Sequence, residues 1–325
     1  MNLDLVNMKK LENIVKNAYK KFLNREPDTV GLEHYISLLE QEKINEFQFH
    51  ELIKSSQEFM ILHPEIIPKI IFPEILESIP DPEIVAMYRI KNEERWIEKS
   101  LKMCSEVCQK IVVVDDGSTD DTLKICKKFP SVVDIHSQTN LPFDETRDKN
   151  ILLKMAMKLN PDFLLSVDGD EIIMPGMKQI LKEDLTVLHP KANVYQIQVL
   201  EVREKPNQIR INDSTTNGLF PTILRLKNQP SNLHFEEMKF PGNAHCPKIP
   251  QNAYRQKNPA VTRCKILHYS LYDEKIRNEK YNFLTKLDPN NTEFFGYKHL
   301  IEPEKYCGPL EYAYLPSGSH IEDIE

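Results

Sequence analysis

Between Ile84 and Val167 short apolar runs alternate with segments of helical periodicity, and this alternation constrains the fold more than any other feature of the chain. Strands separated by helices of ~10–15 residues form βαβ units with a parallel sheet. Right-handed crossovers then place the carboxyl ends of the strands, and any ligand, along one edge of that sheet. The predicted strands are Ile84–Ile90, Ile111–Val114, Val132–Ile135 and Phe163–Val167, with helices over Glu93–Val107, Asp120–Lys128 and Glu145–Leu159.

The pattern after Asp170 is different and predicts a smaller antiparallel region. Alternating apolar residues indicate further strands there. They are Val194–Val202, Gln208–Ile211, Thr222–Leu226 and Cys264–His268, followed by a helix over Asp273–Leu287. We therefore expect an α/β fold with a mostly parallel sheet.

Residues 1–63 show apolar stripes at helical spacing, which predict an N-terminal helical unit with a third helix from Glu46 to Met60. Five prolines follow between Pro64 and Pro82, and proline disfavours regular structure, so this stretch is a linker or irregular strap. The predicted domains are a helical accessory unit with its linker (1–75), an α/β domain (80–290) and an aromatic tail (291–325).

Composition excludes several classes of function. A formal charge of −7 argues against a general nucleic-acid binder, which would carry a basic face. No apolar run approaches the ~18 residues of a membrane span, and no secretory signal is visible. Six cysteines in a chain of this length are too few for a disulfide scaffold, so we expect reduced thiols in a cytoplasmic protein, with peripheral attachment to the inner membrane face left open.

Glycine is scarce, with nine residues in the whole chain. Phosphate-cradling loops of the G-x-G-x-x-G and G-x-x-x-x-G-K-[ST] types need clustered glycines, and neither pattern occurs. A nucleotide bound by this chain must be held by other means.

The first acidic corner lies at the end of the second predicted strand, where Asp115 and Asp116 precede a glycine. Carboxylates at this place in an α/β sheet are positioned to accept hydrogen bonds from a base or ribose. The alternative is an ordinary strand–turn–helix corner, in which Ser118 or Thr119 caps the next helix.

The second acidic corner ends the strand Phe163–Val167 in Asp168-Gly169-Asp170. Two carboxylates so spaced can bracket Mg²⁺ or Mn²⁺, which prefer oxygen ligands and share their shell with diphosphate oxygens. Such an ion neutralises charge on a departing nucleoside diphosphate. A solvated acidic turn is the alternative.

Three motifs together resemble family 2 glycosyltransferases of the GT-A fold in order and spacing. They are Met87–Glu94 (MYRIKNEE), Val114–Thr122 (VDDGSTDDT) and Ser166–Glu171 (SVDGDE). The resemblance covers roughly residues 83–290. It implies a hexosyltransferase that takes a sugar from a nucleotide-sugar donor, UDP-type by expectation, with a divalent metal and inversion at the anomeric carbon. The implied acceptor is a glycan, a lipid-linked molecule or a protein.

The resemblance also implies roles for individual residues. Glu93 and Asp115 or Asp116 would contact the nucleoside, Asp168 would face the ribose and the metal, and Asp170 would be the main metal ligand. The predicted donor-binding residues are Arg89, Lys91, Glu93, Asp115, Asp116, Arg147 and Asp168. Arg147 is placed near the diphosphate, with a surface arginine as the alternative.

Downstream, Ile266–Ser270 (ILHYS) with Arg277 and Lys280 resembles a C-terminal signature of bacterial members of that family, which makes His268 a further candidate metal ligand. Inverting transfer needs a base for the acceptor proton. In the region where the family places it stand Glu236 and Glu237, with Asp213 as a third possibility. His245 is predicted either to line the acceptor cleft or to be a loop histidine.

The N-terminal unit resembles a small helical domain of unknown function found in bacterial surface and glycan-related proteins. The resemblance rests on Arg25-x-Pro-Asp-x-x-Gly-Leu32 and on Ser55–Phe59 (SSQEF). The unit carries no acid–base or metal cluster, so we expect it to dock a protein partner.

Three alternatives remain at this level. A haloacid-dehalogenase-type phosphatase also ends a strand in D-x-D, but this chain has Ile172 where that class wants Thr or Val. Cys264, His268, His245 and Cys246 could form a structural zinc site, although the spacing is unusual. A degenerate transferase that binds a sugar nucleotide or scaffolds partners is the non-enzymatic alternative.

Overall fold

The computed structural model describes residues 3–139, 141–211, 218–237, 246–255, 259–291, 293–307 and 311–320. The chain divides into two compact units, Met1–Ile79 and Pro80–Glu325.

The first unit is helical. Its helices are α1 (Leu3–Leu23), α2 (Thr29–Glu40), α3 (Glu46–Lys54), α4 (Gln57–Leu62) and α5 (Pro73–Glu77). Its core includes Val15, Ala18, Phe49, Ile53 and Phe59. The third helix predicted from Glu46 to Met60 is two helices, because Ser56 Oγ accepts a hydrogen bond from the Phe59 backbone amide and so begins a new helix.

The second unit contains the predicted parallel sheet. Its first four strands are β1 (Ile84–Ile90), β2 (Lys110–Asp115), β3 (Val132–Ser137) and β4 (Phe163–Asp168), all parallel in the order β3-β2-β1-β4. The crossovers contain α6 (Ile97–Val107), α7 (Thr122–Cys126) and α8 (Glu145–Met157). The helix predicted from Glu93 begins at Ile97, because residues 92–94 bond instead to the loop after β2.

Four further strands extend the same sheet beyond β4. They are β5 (Glu171–Ile173), β6 (Val194–Glu201), β8 (Leu219–Arg225) and β9 (Ala260–His268), giving the order β3-β2-β1-β4-β8-β6-β9-β5. β8 is antiparallel to β4 and β6, and β5 is antiparallel to β9. β6 and β9 run parallel, which the sequence pattern did not predict. Helix α9 (Met177–Glu183) continues into one π-helical turn, Asp184–Leu188.

The remaining elements follow β9 in sequence. They are α10 (Glu274–Leu287), a 3₁₀ segment (Glu293–Leu300), α11 (Pro303–Cys307) and β10 (Tyr312–Tyr314). β10 pairs antiparallel with β7 (Gln208–Arg210) in a two-stranded ribbon.

These elements confirm the predicted fold class, an α/β sheet with a parallel half and an antiparallel extension, preceded by helices. No described helix is long and apolar enough to cross a membrane. Within the described chain Cys104, Cys108, Cys126, Cys246 and Cys264 are free thiols.

Candidate active site

The predicted site residues gather where parallel strands end. Arg89 on β1 is in register with Asp168 on β4, and Ile90 is in register with Asp115 on β2. Because parallel strands bring their carboxyl ends to one edge, both acidic corners lie on the same side of the sheet.

Asp115 has both carboxylate oxygens engaged within its own corner. Oδ1 accepts from the Ser118 backbone amide at 3.0 Å and Oδ2 from Ser137 Oγ at 2.9 Å. The side chain is buried. Asp115 therefore holds the turn after β2 in shape.

Asp116, the next residue, belongs to a buried cluster of charged groups. Its Oδ2 accepts from Arg89 Nη2 at 2.9 Å and lies 3.6 Å from Lys91 Nζ. Its Oδ1 accepts from Gln138 Nε2 at 3.1 Å. Arg147 Nη2 lies 3.7 Å from the same oxygen. Asp116 is thus surrounded by cationic and amide donors.

Asp148 is the second carboxylate of this cluster and is completely buried. It accepts from Arg89 Nε at 2.8 Å, from Arg147 Nε at 2.9 Å and from Gln138 Nε2 at 2.7 Å. The guanidinium of Arg89 also lies over the Phe143 ring, 4.8 Å from its centroid. Asp148 therefore fixes the orientation of both arginines.

Asp168 is held by a lysine that the sequence analysis did not identify. Lys248 Nζ donates to Asp168 Oδ2 at 2.8 Å and to Glu171 Oε2 at 2.6 Å. Although burial acts in the opposite direction, Lys248 and Lys149 hold the pKa of Asp168 well below its usual range. Asp168 is consequently an ionised group with an internal counter-ion.

Lys248 is positioned by helix α8. Lys149 Nζ donates to the Cys246 carbonyl at 2.7 Å and to the Pro247 carbonyl at 3.2 Å. Glu145 Oε2 accepts from the Cys246 backbone amide at 2.8 Å. Two side chains of one helix thereby anchor the segment that presents Lys248.

Glu93 lies beside the Asp-Gly-Asp corner. Its backbone amide donates to Thr122 Oγ1 at 2.7 Å, which ties the loop after β1 to the loop after β2. Burial first, and then the charges of Asp170 and Asp168, raise the pKa of Glu93 well above its usual range. Three carboxyl groups thus converge here, and the neutral form of Glu93 is favoured beside Asp168 and Asp170.

Asp170 faces the histidine predicted from the C-terminal motif. Its Oδ1 lies 3.6 Å from His268 Nε2, and His268 Nδ1 lies 3.2 Å from Glu201 Oε2. Burial acts to raise the pKa of Asp170, but the neighbouring His268 lowers it below its usual value. Burial acts to lower the pKa of His268, but the carboxylates of Asp170 and Glu201 raise it well above its usual value. Glu201 is buried and therefore fixes which nitrogen of the imidazole faces Asp170.

This geometry fits an incomplete shell for a divalent cation. At metal–ligand distances of ~2.1 Å, two neighbouring ligands of an octahedral ion stand roughly 3 Å apart. The Asp170–His268 separation of 3.6 Å is close to that value, and a carboxylate behind a ligating histidine is a common second partner. Among the described residues no group of three or more His, Cys, Asp or Glu side chains is arranged to hold a metal. Remaining ligands would have to come from diphosphate and water.

The predicted bases are exposed side chains or fall outside the described residues. Glu236 and Glu237 are exposed, and in the described part of the chain their carboxylates make no hydrogen bond. The Glu236 carbonyl accepts from Thr146 Oγ1 at 3.3 Å, which places this segment beside the start of α8. Asp213 and His245 fall outside the described residues.

Sequence reasoning missed Asp148, Lys248 and Glu201. Asp148 stands directly after the predicted Arg147, and Glu201 is the penultimate residue of the predicted strand Val194–Val202, so two of them carried a positional signal. Lys248 carried none, since 80 residues separate it from Asp168.

The α/β unit matches a glycosyltransferase family in sequence. Residues 89–242 match the family model described as Glycosyl transferase family 2. Asp116, Asp168 and Asp170 lie inside the matched segment, while Lys248 and His268 lie beyond it. Residues 9–62 match a domain of unknown function, DUF4214. The predicted family 2 domain after a helical domain of unknown function is thus confirmed.

Sequence relatives cover a small part of the chain. Uncharacterized proteins of Mycobacterium tuberculosis (strain ATCC 25618 / H37Rv) and Mycobacterium bovis (strain ATCC BAA-935 / AF2122/97) are each 31% identical over 96 residues, which is 28% of this chain and 24% of the relative. The match therefore spans about a quarter of the length of these curated relatives.

Solved structures show low similarity. The chain is similar to S. aureus TarS, with 19% identity, a TM-score of 0.37, and coverage of 67% of this chain and 42% of that one. It is also similar to glucosyl-3-phosphoglycerate synthase from Mycobacterium tuberculosis in complex with Mn²⁺, uridine-diphosphate and glucosyl-3-phosphoglycerate. That match has 16% identity, a TM-score of 0.31, and coverage of 42% of this chain and 50% of that one.

Proposed function

We propose that the protein transfers a hexosyl group from a UDP-type nucleotide sugar to a glycan or glycoconjugate acceptor, with inversion and with Mn²⁺ or Mg²⁺ as cofactor. The observation that carries this proposal is the Asp170–His268 pair, 3.6 Å apart at the edge where Asp168 and Glu93 also converge. The family match over residues 89–242 supports it.

The nucleoside is assigned to the sheet edge that carries the two acidic corners. Glu93 supplies a carboxyl group that can bond a base or ribose. Both oxygens of Asp115 serve its turn, and both oxygens of Asp116 accept from Arg89 and Gln138, so a nucleoside bound at Asp116 would share oxygens that are already hydrogen-bonded. Lys91 is half exposed and lies 3.6 Å from Asp116, so it can reach a phosphate while Arg89 and Gln138 remain bonded to that carboxylate. Arg89 and Arg147 both bond to Asp148, which holds their guanidinium groups next to Asp116.

The reaction forms one bond and breaks one. The acceptor hydroxyl oxygen attacks the anomeric carbon, the bond from that carbon to the diphosphate oxygen breaks, and the electron pair leaves with UDP. A divalent ion, when bound, stabilises the charge on the departing diphosphate. Asp170 and His268 would hold that ion, and Glu201 would keep the imidazole oriented toward it.

The acceptor proton must pass to a base. Glu236 and Glu237 remain the candidates among the described residues, since both are exposed and unengaged near the start of α8. Asp213 remains a third candidate.

A second function is favoured by one observation. Lys248 already neutralises Asp168, so the chain could bind a sugar nucleotide without a metal and without transfer, as a degenerate family member or scaffold. The family match favours a glycosyltransferase over the phosphatase alternative.

We propose a cytoplasmic location, with peripheral attachment to the inner membrane face left open, since the described cysteines are free thiols. The N-terminal helices are proposed to dock a protein partner. Their described residues provide a closed apolar core and no cluster of metal-ligating side chains.

The decisive experiment measures binding and turnover separately. Binding of UDP, GDP and CMP is measured by calorimetry with and without Mn²⁺, and hydrolysis of UDP-sugars is followed in the same samples. We expect UDP to bind most tightly, binding to strengthen with Mn²⁺, and hydrolysis to stop in excess EDTA. Metal-independent UDP binding without hydrolysis or transfer would support the degenerate binder instead.

A further inference from the structure

Arg203 is a buried arginine outside the site described above. It is 2% exposed and follows β6 in the hairpin that leads to β7, where its backbone amide donates to the Gln208 carbonyl at 2.9 Å. Among the described residues nothing accepts a hydrogen bond from its Nε. Burying a guanidinium donor without an acceptor is costly, so the arrangement indicates a partner supplied from outside the chain.

Strand register places Arg203 next to the metal side of the site. Glu201 on β6 is in register with His268 on β9, and Val202 bridges Ile209 on β7. Alternate residues of a strand share a face, so Glu201 and Arg203 lie on the face that carries His268. The same bridge sets Arg210 on β7 opposite Glu201 on β6. Arg210 is therefore two strands away from His268 on β9, a distance of roughly 10 Å.

The surroundings of Arg203 are rich in positive charge. Arg210 is completely buried, and Tyr312 of β10 lies in register with it. The pKa of Arg203 is lowered by burial and by the positive charges of Arg210 and Arg277. The negative charge of Glu201 acts in the opposite direction.

The nearby carboxylates already have cationic neighbours. Glu201 Oε2 lies 3.2 Å from His268 Nδ1, and Glu204 Oε1 accepts from Arg277 Nη1 at 2.7 Å. A dianionic group would supply the charge that this corner lacks.

We propose that Arg203, with Arg210 and Arg277 beside it, binds a phosphate group carried by the acceptor. This rests on the proposed function, because it takes the molecule bound next to His268 to be the acceptor. Guanidinium groups suit phosphate because they donate paired hydrogen bonds to its oxygens, and clustered arginines match a dianion better than a single carboxylate charge. A separation of about two strand spacings, roughly 10 Å from His268 to Arg210, lets a phosphorylated acceptor place its hydroxyl near the donor and its phosphate between Arg203 and Arg210.

The test uses the full chain saturated with UDP and Mg²⁺, so that the donor site is filled, and titrates inorganic phosphate by thermal shift and calorimetry. We expect saturable stabilisation of the wild type, an affinity at least about tenfold weaker in Arg203→Gln, and unchanged UDP affinity. Arg25→Gln, in the N-terminal unit, is the matched control and should respond to phosphate like the wild type. Acetate in place of phosphate should give no comparable response.

Stability without phosphate separates a binding residue from a packing residue. Removal of an unsatisfied buried charge should leave the melting temperature of Arg203→Gln unchanged or higher. A clear drop in melting temperature together with a wild-type phosphate response would overturn the proposal. If Arg203→Gln does not fold, Arg203→Lys keeps the charge and loses the paired hydrogen bonds, so weakened phosphate binding is expected there too, and wild-type affinity in that variant would also overturn it.

Failure of this inference differs from failure of the proposed function. A wild type that binds UDP and hydrolyses a UDP-sugar but ignores phosphate loses only the phosphate site. A wild type that binds no nucleotide loses the proposed function, whatever phosphate does.

Discussion

Glu93 lies directly against the glycine of the Asp-Gly-Asp corner: a Cβ atom at Gly169 would stand 2.5 Å from the Glu93 Cγ. The glycine is therefore required by the approach of a neighbouring side chain. It lets the Glu93 carboxyl group enter the space beside Asp168 and Asp170, whose charges act on it.

Gly169→Ala should accordingly displace Glu93 and weaken both fold and donor binding. We expect a loss of ~1–3 kcal/mol in the free energy of unfolding, the usual cost of overpacking, and at least about tenfold slower hydrolysis of a UDP-sugar. Adding Glu93→Ala should restore part of the stability, because it removes the contact with Cγ and leaves only the 3.1 Å contact with the Cβ of residue 93. Independent, additive losses in the double variant would show that Glu93 is not the obstacle.

Asp170→Asn preserves shape but removes a charge from the proposed metal site. Activity should collapse, because stabilisation of the leaving group is worth several kcal/mol of barrier, while His268→Ala should cost less since water can replace a neutral ligand. The measurement is hydrolysis and transfer over a Mn²⁺ titration. Asp134→Asn, on exposed β3, is the control. A normal rate in Asp170→Asn, or full turnover in EDTA, would exclude the metal mechanism.

The raised pKa of His268 gives a signed prediction for the metal-free protein. The folded state binds this proton more tightly than the unfolded chain does. Its contribution to stability is therefore full below the ordinary pKa of ~6.5 and is lost as pH rises through the folded value. The free energy of unfolding of wild type minus that of His268→Gln should thus shrink with increasing pH in urea titrations. His136→Gln is the matched control, and a difference that grows with pH would contradict the assignment.

Metal binding should follow the opposite trend. A ligating imidazole must be unprotonated, so the affinity for Mn²⁺ in the presence of UDP should increase with pH. The increase should be smaller in His268→Ala. An equal pH dependence in both proteins would remove His268 from the metal shell.

Asp148→Asn tests the buried carboxylate between two arginines. Breaking a buried ion pair typically costs ~3–5 kcal/mol, because the remaining charges lose their partner. We expect a loss of this order in urea unfolding, together with weaker UDP binding as Arg89 and Arg147 lose their orientation. Asp144→Asn caps the same helix and should change stability little, since asparagine is also a good N-cap. Equal effects of the two variants would contradict a special role for Asp148.

A chain that begins at Pro80 tests the separability of the helical unit, since Met1–Ile79 and Pro80–Glu325 are separate compact units. It should fold, bind UDP and hydrolyse donor slowly, while losing any partner recruited by the helices. Circular dichroism melting and calorimetry measure this. An insoluble or much less stable product would show that the helices contribute to the packing of the α/β unit.

Periodicity made the parallel half of the sheet predictable. Three of its four strands, β1, β2 and β4, are short buried runs. Asp115 and Asp168 stand where two of those runs end, so their shared edge followed from topology alone. The parallel pairing of β6 with β9 was not predictable, because antiparallel and parallel neighbours have the same alternation in a strand that is buried on both faces. Likewise, Ser56 could not be recognised as a helix start while the apolar stripe continued through it.

The side-chain contacts of the site could not be predicted from the sequence, because they join residues that are far apart in the chain. The ion pair of Arg89 with Asp148 joins positions 59 apart, and Lys248 reaches Asp168 from a segment without periodic pattern. The predicted identities of Asp116, Asp168, Asp170 and His268 came from motifs. Their actual partners, Gln138, Lys248 and Glu201, depend on packing.

The bridge from Lys248 to Asp168 and Glu171 has a consequence for metal selectivity in the cell. Because an ammonium group already lies between two carboxylates, a free divalent cation entering alone would have to displace a largely buried ion pair and leave the Lys248 ammonium without a counter-ion. A cation that arrives with a nucleotide diphosphate brings anionic oxygens that can accept the displaced lysine. The resting protein should therefore be insensitive to stray Mn²⁺ or Zn²⁺, and acquire a metal only as part of its donor complex.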